Sequence, residues 1–111
     1  MRIWDVPPAE LCRLHLLGEH SELHAIWSIL VNDKKGYRNH PEVQRWQGKR
    51  GALYRRHAML VEEMQRRGYQ HCSPLDSSEA TGEVTQDCYV DTLAVQRRLL
   101  RDKPCDCLRK I

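Results

Sequence analysis

The chain has 111 residues, of which 41% are hydrophobic and 30% are charged, and its formal net charge is +3. This length suits one hydrophobic core rather than two, so we expect a single domain over residues 1–111. No apolar run approaches the roughly 20 residues of a membrane-spanning helix, and the first residues lack the apolar stretch of a signal peptide. These features exclude an integral membrane protein and predict a cytoplasmic protein with reduced cysteines.

Positive charge is concentrated in one part of the chain. Residues 34–56 hold eight basic residues and one acidic residue, whereas the remainder holds ten basic and fourteen acidic residues, a balance of −4. Such a block suits the binding of a polyanion, and a solvated basic helix face is the alternative. The basic residues of the block are Lys34, Lys35, Arg38, Arg45, Lys49, Arg50, Arg55 and Arg56.

The hydrophobic pattern predicts an all-α domain with three main helices and long loops. The first helix is expected to begin near Pro8 and to end at about Val31. After a polar connection, Pro41 is expected to start the second helix. Apolar residues at steps of three and four carry that helix towards Gly68, a residue suited to the position just past a helix end.

Two glycines interrupt the second helix, and a third helix follows a long loop. Gly48 and Gly51 weaken the middle of the second helix, so we expect a kink or a close backbone approach there. The third helix is expected to begin at Asp91 or Thr92, both good N-caps, and to end before Pro104. We interpret residues 104–111 as a flexible tail.

The first helix carries the stretch HLLGEHSELH, which contains three histidines and two glutamates. On a wheel of about 100° per residue, His15, Glu19 and Glu22 lie between two apolar sectors. Buried carboxylates are costly unless they have partners or line a cleft. Because Gly18 leaves the neighbouring surface open, we expect Glu22 in a cleft, whereas a buried ion pair is a strong alternative for Glu19.

A metal site at these histidines is not favoured. His20 and His24 do not share the face of His15 and Glu22, and the sequence has no Glu-x-x-His pattern to supply ligands from another helix. We therefore predict no metal site, and we expect His20 and His24 at the surface. The close pair Cys105 and Cys107 is only a weak indication of metal or redox chemistry.

The start of the chain offers a nucleophile. Arg2 follows Met1, and a large second residue normally prevents removal of the initiator methionine, so we expect a free α-amine on Met1. Such an amine titrates at about pH 7.7–8.0, which leaves part of it unprotonated near neutral pH. Arg2 favours the neutral amine further and attracts phosphate. The short segment before the first helix allows this terminus to fold back over His15 and Glu22.

Two stretches, MRIWDVPPAELCRLHLLGEHSELHAIW and ALYRRHAMLVEEMQRRGY, resemble the pyrimidine-dimer DNA glycosylase family, which the phage endonuclease V typifies. The most specific features are the N-terminal residue followed by arginine, the spacing L-x-x-x-H-L-x-x-E-x-x-E-L, and the R-R-G-aromatic sequence that closes the second helix. The resemblance implies an endonuclease V-like fold and a DNA repair enzyme that acts as a glycosylase and AP lyase.

The resemblance also implies a mechanism. The amine of Met1 would attack the anomeric carbon of a damaged nucleotide, expel the base and form an imine, and β-elimination would then nick the strand. Glu22 matches the essential carboxylate, Arg2 and His15 match residues that hold DNA and shape the site, and Glu19 has a counterpart that we interpret as structural. The expected partner is damaged double-stranded DNA, bound by a monomer associated with the nucleoid, and no cofactor is expected.

The chain departs from the family pattern in places that bear on lesion specificity. Ser21 and Ala25 replace family arginines, Leu14 replaces a glutamine, and the C-terminal tail contains no aromatic residue. The alternatives are therefore an amine-dependent lyase or glycosylase for another damaged base, and a non-catalytic DNA-binding domain.

Phosphate binding could move to the basic block in this chain. Arg45, Lys49 and Arg56 are expected to form an outward ridge on the second helix, and Arg50 and His57 are expected to point towards the cleft. Lys34, Lys35 and Arg38 extend the basic surface before that helix.

Overall fold

The computed structural model of the chain describes residues 2–36, 39–71 and 73–103. In these ranges the chain is helical and contains no β-strand, which confirms the all-α class. The elements are the helices α1 (Arg13–Val31), α2 (Pro41–Gln44), α3 (Arg50–Arg66) and α4 (Leu93–Asp102), and two 3₁₀ turns at Pro8–Glu10 and Ser77–Glu79. Within the described part, none of these helices is both long and apolar enough to span a bilayer.

The first helix begins later than the sequence predicted. A 3₁₀ turn occupies Pro8–Glu10, and Leu11 then adopts an extended conformation with φ −89° and ψ 139° before α1 starts at Arg13. Leu11 is almost completely buried in the core. The chain therefore leaves helical geometry at the point where it places this apolar side chain inside.

The predicted second helix is two helices. After the single turn of α2, the chain turns through Gly48, whose φ of +73° favours glycine, and α3 begins at Arg50. A Cβ atom at Gly51 would lie 3.0 Å from the carbonyl oxygen of Glu83, so the long loop approaches the backbone closely here. The expected close backbone approach is therefore confirmed, whereas the expected kink is a complete break between two helices.

The predicted ends of the later helices agree with the structure. Gly68 follows α3 with φ +84°, and the Thr92 side chain accepts a hydrogen bond from the Val95 N–H at the start of α4. The tail that we expected to be flexible, residues 104–111, lies outside the described residues.

One hydrophobic core joins the helices to the first residues of the chain. We call residues 2–6 the N-terminal arm; it is not helical, yet three of its side chains are buried. Helix α1 packs mainly against α3. Buried core side chains include Ile3, Trp4 and Val6 of the arm, Leu16, Leu23, Ile26 and Trp27 of α1, Val43 and Trp46, Leu53, Leu60 and Met64 of α3, and Leu100 of α4.

One predicted apolar sector of α1, which includes Leu16, Leu23 and Ile26, faces the core, and the other, which includes Leu14 and Ala25, is buried only in part. Leu16, Leu23 and Ile26 lie in the core, as expected. On the other sector Leu14 is 75% exposed and Ala25 is exposed too, so that prediction was wrong for these two residues. Their exposure leaves the surface of α1 beside Gly18 accessible.

Candidate active site

The N-terminal arm is attached to α2 and the turn after it through buried charges. The Ile3 N–H donates to Oε1 of Glu42 (3.1 Å), and Arg45 donates from Nη2 to the Ile3 carbonyl (3.0 Å). Arg45 also donates from Nε to Glu42 Oε1 (2.8 Å), so the two side chains form an ion pair directly under the arm. Both polar groups of the Ile3 backbone are therefore satisfied inside the protein.

A second buried ion pair joins the arm to α1 and α3. Glu19 accepts two hydrogen bonds from Arg56, from Nε to Oε2 (2.7 Å) and from Nη2 to Oε1 (3.0 Å). Glu19 Oε1 also accepts from the Trp4 N–H (3.1 Å), and Arg56 Nη1 donates to the Val6 carbonyl (2.9 Å). Burial raises the pKa of the Glu19 carboxyl, and the charge and hydrogen bonds of Arg56 oppose that rise. The structure thus agrees with the ion-pair interpretation of Glu19.

A third attachment fixes the middle of the arm to α4. The Asp5 N–H donates to Oε1 of Gln96 (2.7 Å), and Gln96 Nε2 donates back to Asp5 Oδ2 (2.9 Å). Arg45 Nη1 reaches the other carboxylate oxygen of Asp5 (3.1 Å). Since residues 3–6 are held from α1, α2, α3 and α4, the direction in which the chain enters the fold is determined by the packed helices.

These contacts correct the prediction for two of the basic residues. Arg45 and Arg56 are each only 6% exposed, so the expected outward ridge with Lys49 is wrong. Their guanidinium groups are already bound to carboxylates and backbone carbonyls, and removing such a buried partner is costly. Arg45 and Arg56 therefore hold the arm and do not present their charge to a ligand at the surface.

A cleft of about 220 Å³ opens beside the end of the arm, on the exposed side of α1. Its lining residues are Arg2, Trp4, Leu14, His15, Gly18, Glu19 and Glu22. Glu22 is half-buried and lies beside Gly18, where a Cβ atom would meet nothing within 4 Å. Pockets of about 350 and 430 Å³ occur elsewhere, but neither is lined by Arg2, His15 or Glu22.

His15 contributes a neutral ring to this cleft. Burial, and then the positive charge of Lys103, lower the pKa of His15, so the imidazole is uncharged at neutral pH. Its Nδ1 atom lies 3.2 Å from Sγ of Cys12, and its ring meets the Trp4 ring edge-on at 5.9 Å between centroids. His15 can therefore act on a ligand by hydrogen bonding and shape rather than as a fixed positive charge.

Arg2 supplies the positive charge at the cleft. Its guanidinium lies 4.9 Å from the centroid of the Trp4 ring, and Nη2 is 2.9 Å from Oδ2 of Asp91. The side chain remains 32% exposed, so part of it can still meet a ligand. Met1, the predicted nucleophile, lies outside the described residues.

The rest of the basic block lies away from the cleft. None of its described residues lines the cleft, and Lys34 and Lys35 are exposed just after α1. Lys49 binds Asp87 (3.0 Å), and Arg50 binds Glu79 (2.9 Å), so both fasten the long loop between α3 and α4. Arg38 lies outside the described residues. The structure therefore brings together Arg2, His15 and Glu22, but not the basic block.

A signal for the buried arginine of α3 was present in the sequence. Arg56 follows Leu53 by three positions and precedes Leu60 by four, so it occupies the apolar face of the helix. An arginine on such a face requires an acidic partner, and Glu19 was the available buried carboxylate. The net charge of residues 34–56 does not distinguish this buried position from the exposed ones.

The structure also overturns the reason for which a metal site was rejected. His24 does not lie on a solvated face; it lies against His20 of the same helix and His57 of α3. His71, in the segment after α3, completes the group. Histidines from α3 and from the segment after it therefore do contact the histidines of α1, although the sequence contains no Glu-x-x-His pattern that would predict this.

Comparison with known families identifies the chain. A model of the pyrimidine dimer DNA glycosylase family matches residues 1–77, which include the arm, α1, α2 and α3 and make up more than half of the chain. Comparisons with curated proteins and with solved structures found no match. The family match confirms the resemblance and identifies an enzyme whose substrate is DNA. The chain therefore belongs to the pyrimidine dimer DNA glycosylase family.

Proposed function

We propose that the chain excises a cyclobutane pyrimidine dimer from double-stranded DNA through an imine at Met1, with Glu22 as the acid–base group, and then nicks the strand as an AP lyase. The observation that carries this proposal is the cleft, in which a half-buried carboxylate faces the end of an immobilised N-terminal arm. An amine and a carboxylate are the two groups that such a reaction requires.

The arm restricts where the amine can be. Ile3 and Trp4 are held by backbone hydrogen bonds to buried carboxylates, and Arg2 lines the cleft. Met1 is covalently joined to Arg2, and consecutive Cα atoms lie about 3.8 Å apart. In this proposal the buried ion pairs favour proximity, because they hold the residues that follow Met1 next to the cleft that Glu22 lines.

The proposed reaction has four steps, which are displacement of the base, opening of the sugar ring, β-elimination and hydrolysis of the imine. The neutral amine of Met1 forms a bond to C1′ of the damaged nucleotide, the glycosidic bond breaks, and the base leaves with its electron pair and accepts a proton. The attached nitrogen then loses one proton, O4′ takes a proton through Glu22, and the C1′–O4′ bond opens to give a protonated imine. Loss of a C2′ proton and departure of the 3′ phosphate complete the β-elimination, and water releases Met1 from the imine.

Each cleft residue has a distinct part in this proposal. The Glu22 carboxylate stabilises the cationic imine as it forms, and it takes and returns protons during ring opening and elimination. Arg2 binds the phosphate beside the lesion, and neutral His15 orients the sugar by hydrogen bonding. Gly18 leaves room for a nucleotide displaced from the stack, as enzymes that act on a base require.

The decisive experiment is borohydride trapping on two labelled duplexes, one with an abasic site and one with a cyclobutane thymine dimer. Wild type is expected to form a covalent complex with both. Glu22→Gln and a protein acetylated at its N-terminus are expected to form neither. Glu62→Gln is the matched control, because Glu62 is an exposed glutamate of α3 that does not line the cleft. Mass spectrometry of the purified protein establishes that the amine of Met1 is free.

The two substrates separate the alternatives. Trapping on the abasic duplex alone would assign a lyase for another lesion, which the exposed Ser21 and Ala25 favour because they stand where family members carry arginine. Salt-dependent DNA binding with no trapping would refute the imine mechanism and leave a non-catalytic DNA-binding domain.

A further inference from the structure

Four of the six histidines of the chain converge on one point, away from the cleft. His20 and His24 lie one turn apart on α1, His57 lies on α3, and His71 follows α3. None of the four lines the cleft described above. Each directs a ring nitrogen towards the others, and these four nitrogens all lie within 4.8 Å of one another. We refer to these residues as the histidine cluster.

Hydrogen bonding among the rings does not account well for this arrangement. The Nε2 atom of His20 lies 3.0 Å from Nε2 of His71 and 3.2 Å from Nε2 of His24, which in turn lies 3.2 Å from Nε2 of His57. An imidazole nitrogen carries either a proton or a lone pair, so it makes one well-directed hydrogen bond. In the series His71–His20–His24–His57, however, the Nε2 atoms of His20 and His24 would each need to hydrogen-bond with two partners.

The same distances suit a metal ion. Zn²⁺ binds histidine nitrogen at about 2.0–2.1 Å in tetrahedral geometry, which places neighbouring ligand nitrogens about 3.3–3.4 Å apart. The three short Nε2 separations are within a few tenths of an ångström of that value. Imidazole ligands select zinc and related transition metals rather than magnesium or calcium.

The four rings are shielded from bulk water, because His57 is buried and His20, His24 and His71 are half-buried. A histidine binds a metal ion through the lone pair of a neutral ring nitrogen. The cluster therefore offers four ligand atoms at one shielded position.

We propose that His20, His24, His57 and His71 form a four-coordinate structural site for a divalent transition metal, with Zn²⁺ as the preferred ion. Because the protein supplies all four ligands, the ion has no open position for substrate or water. Its role is to cross-link α1, α3 and the segment that enters the long loop. The proposal does not depend on the imine mechanism, since the cluster and the cleft share no residue.

The test uses the full chain purified without a polyhistidine tag. Elemental analysis is expected to find one zinc per chain, or the metal-free protein is expected to bind one Zn²⁺ in a calorimetric titration. Zinc addition is expected to raise Tm, because an ion that binds only the folded state stabilises it. Cobalt substitution is expected to give the visible bands of a tetrahedral nitrogen site.

Substitutions distinguish the histidine cluster from other ligands. His71→Gln is expected to weaken Zn²⁺ binding by about 100-fold or more, since loss of even a supporting residue outside the ligands costs about 10–100-fold. His15→Gln is the matched histidine control, and its zinc stoichiometry is expected to match wild type. Replacing Cys72, Cys105 and Cys107 by serine is expected to leave zinc binding unchanged.

Several results would overturn the proposal. One is that wild-type protein contains no stoichiometric zinc and its Tm does not respond to added zinc. Another is that the cobalt spectrum shows the charge-transfer band of a thiolate ligand. Zinc binding that survives both His71→Gln and His24→Gln would do the same. If one histidine variant fails to fold, the cobalt spectrum of wild type and the cysteine variants still decide the question.

Discussion

Replacing Glu19 by glutamine will destabilise the protein because it leaves a buried cation without its counter-charge. Glu19 is 2% exposed and Arg56 is 6% exposed, and the pair is joined by two hydrogen bonds of 2.7 and 3.0 Å. Removing one partner of such a pair costs about 3–5 kcal/mol. Glutamine keeps the shape and one acceptor oxygen for the Trp4 N–H, so we expect the cost to be near the lower end of that range. That is a large share of the roughly 5–15 kcal/mol of a typical domain.

The measurement is urea unfolding of wild type and Glu19→Gln. It gives for each protein the midpoint and the slope of the free energy of unfolding against urea concentration. An unchanged slope with a lower midpoint assigns the effect to stability. The same change should lower Tm by roughly 10–20 °C. Glu22→Gln is the control, because Glu22 is only half-buried; it should change stability by less than about 1 kcal/mol while it removes imine trapping.

A double-mutant cycle tests whether the pair acts as a unit. Arg56→Met removes the cation together with its bond to the Val6 carbonyl, so the single variant is also expected to be destabilised. The double variant with Glu19→Gln should lose less than the sum of the two, with a coupling of about 0.5–3 kcal/mol. A destabilisation below about 1 kcal/mol for Glu19→Gln, or strictly additive effects, would refute the view that this ion pair holds the arm.

Three further variants test the local geometry and the basic surface. Gly18→Ala should stabilise α1 by about 0.8–1 kcal/mol, because its Cβ meets nothing within 4 Å; a lower urea midpoint would contradict this. Gly82→Ala should cost about 2 kcal/mol or more in the same assay, because φ is +79° and the Cβ would clash with the Gly48 carbonyl oxygen; a neutral effect would show that the loop can move. Lys34→Gln with Lys35→Gln should reduce the salt dependence of DNA affinity by a slope of about 0.9 for each phosphate that is no longer neutralised; an unchanged slope would exclude these lysines from the interface.

Local sequence patterns were enough to predict the class and several boundaries. The period of the apolar residues identifies helices, and Thr92 and Gly68 act within a turn of the helix ends that they mark. The same local reasoning failed at Leu11, where the chain is extended and buries one side chain in the tertiary core, so the first helix begins later than expected. A periodic pattern shows that a residue shares a face with its neighbours, but not whether the backbone stays helical there.

The candidate site also has one part that local sequence patterns predict and another that only the tertiary structure determines. Helical geometry alone places His15, Gly18 and Glu22 on one part of α1, and the structure forms a cleft there.

The partners of the other charged and titratable groups depended on the tertiary structure. Arg56 meets Glu19 across 37 positions of sequence, and His20 meets His71 across 51. Spacing within one helix carries no information about which side chain lies opposite. The packing of α1 against α3 therefore decides that a basic residue is a buried anchor and that dispersed histidines form one cluster.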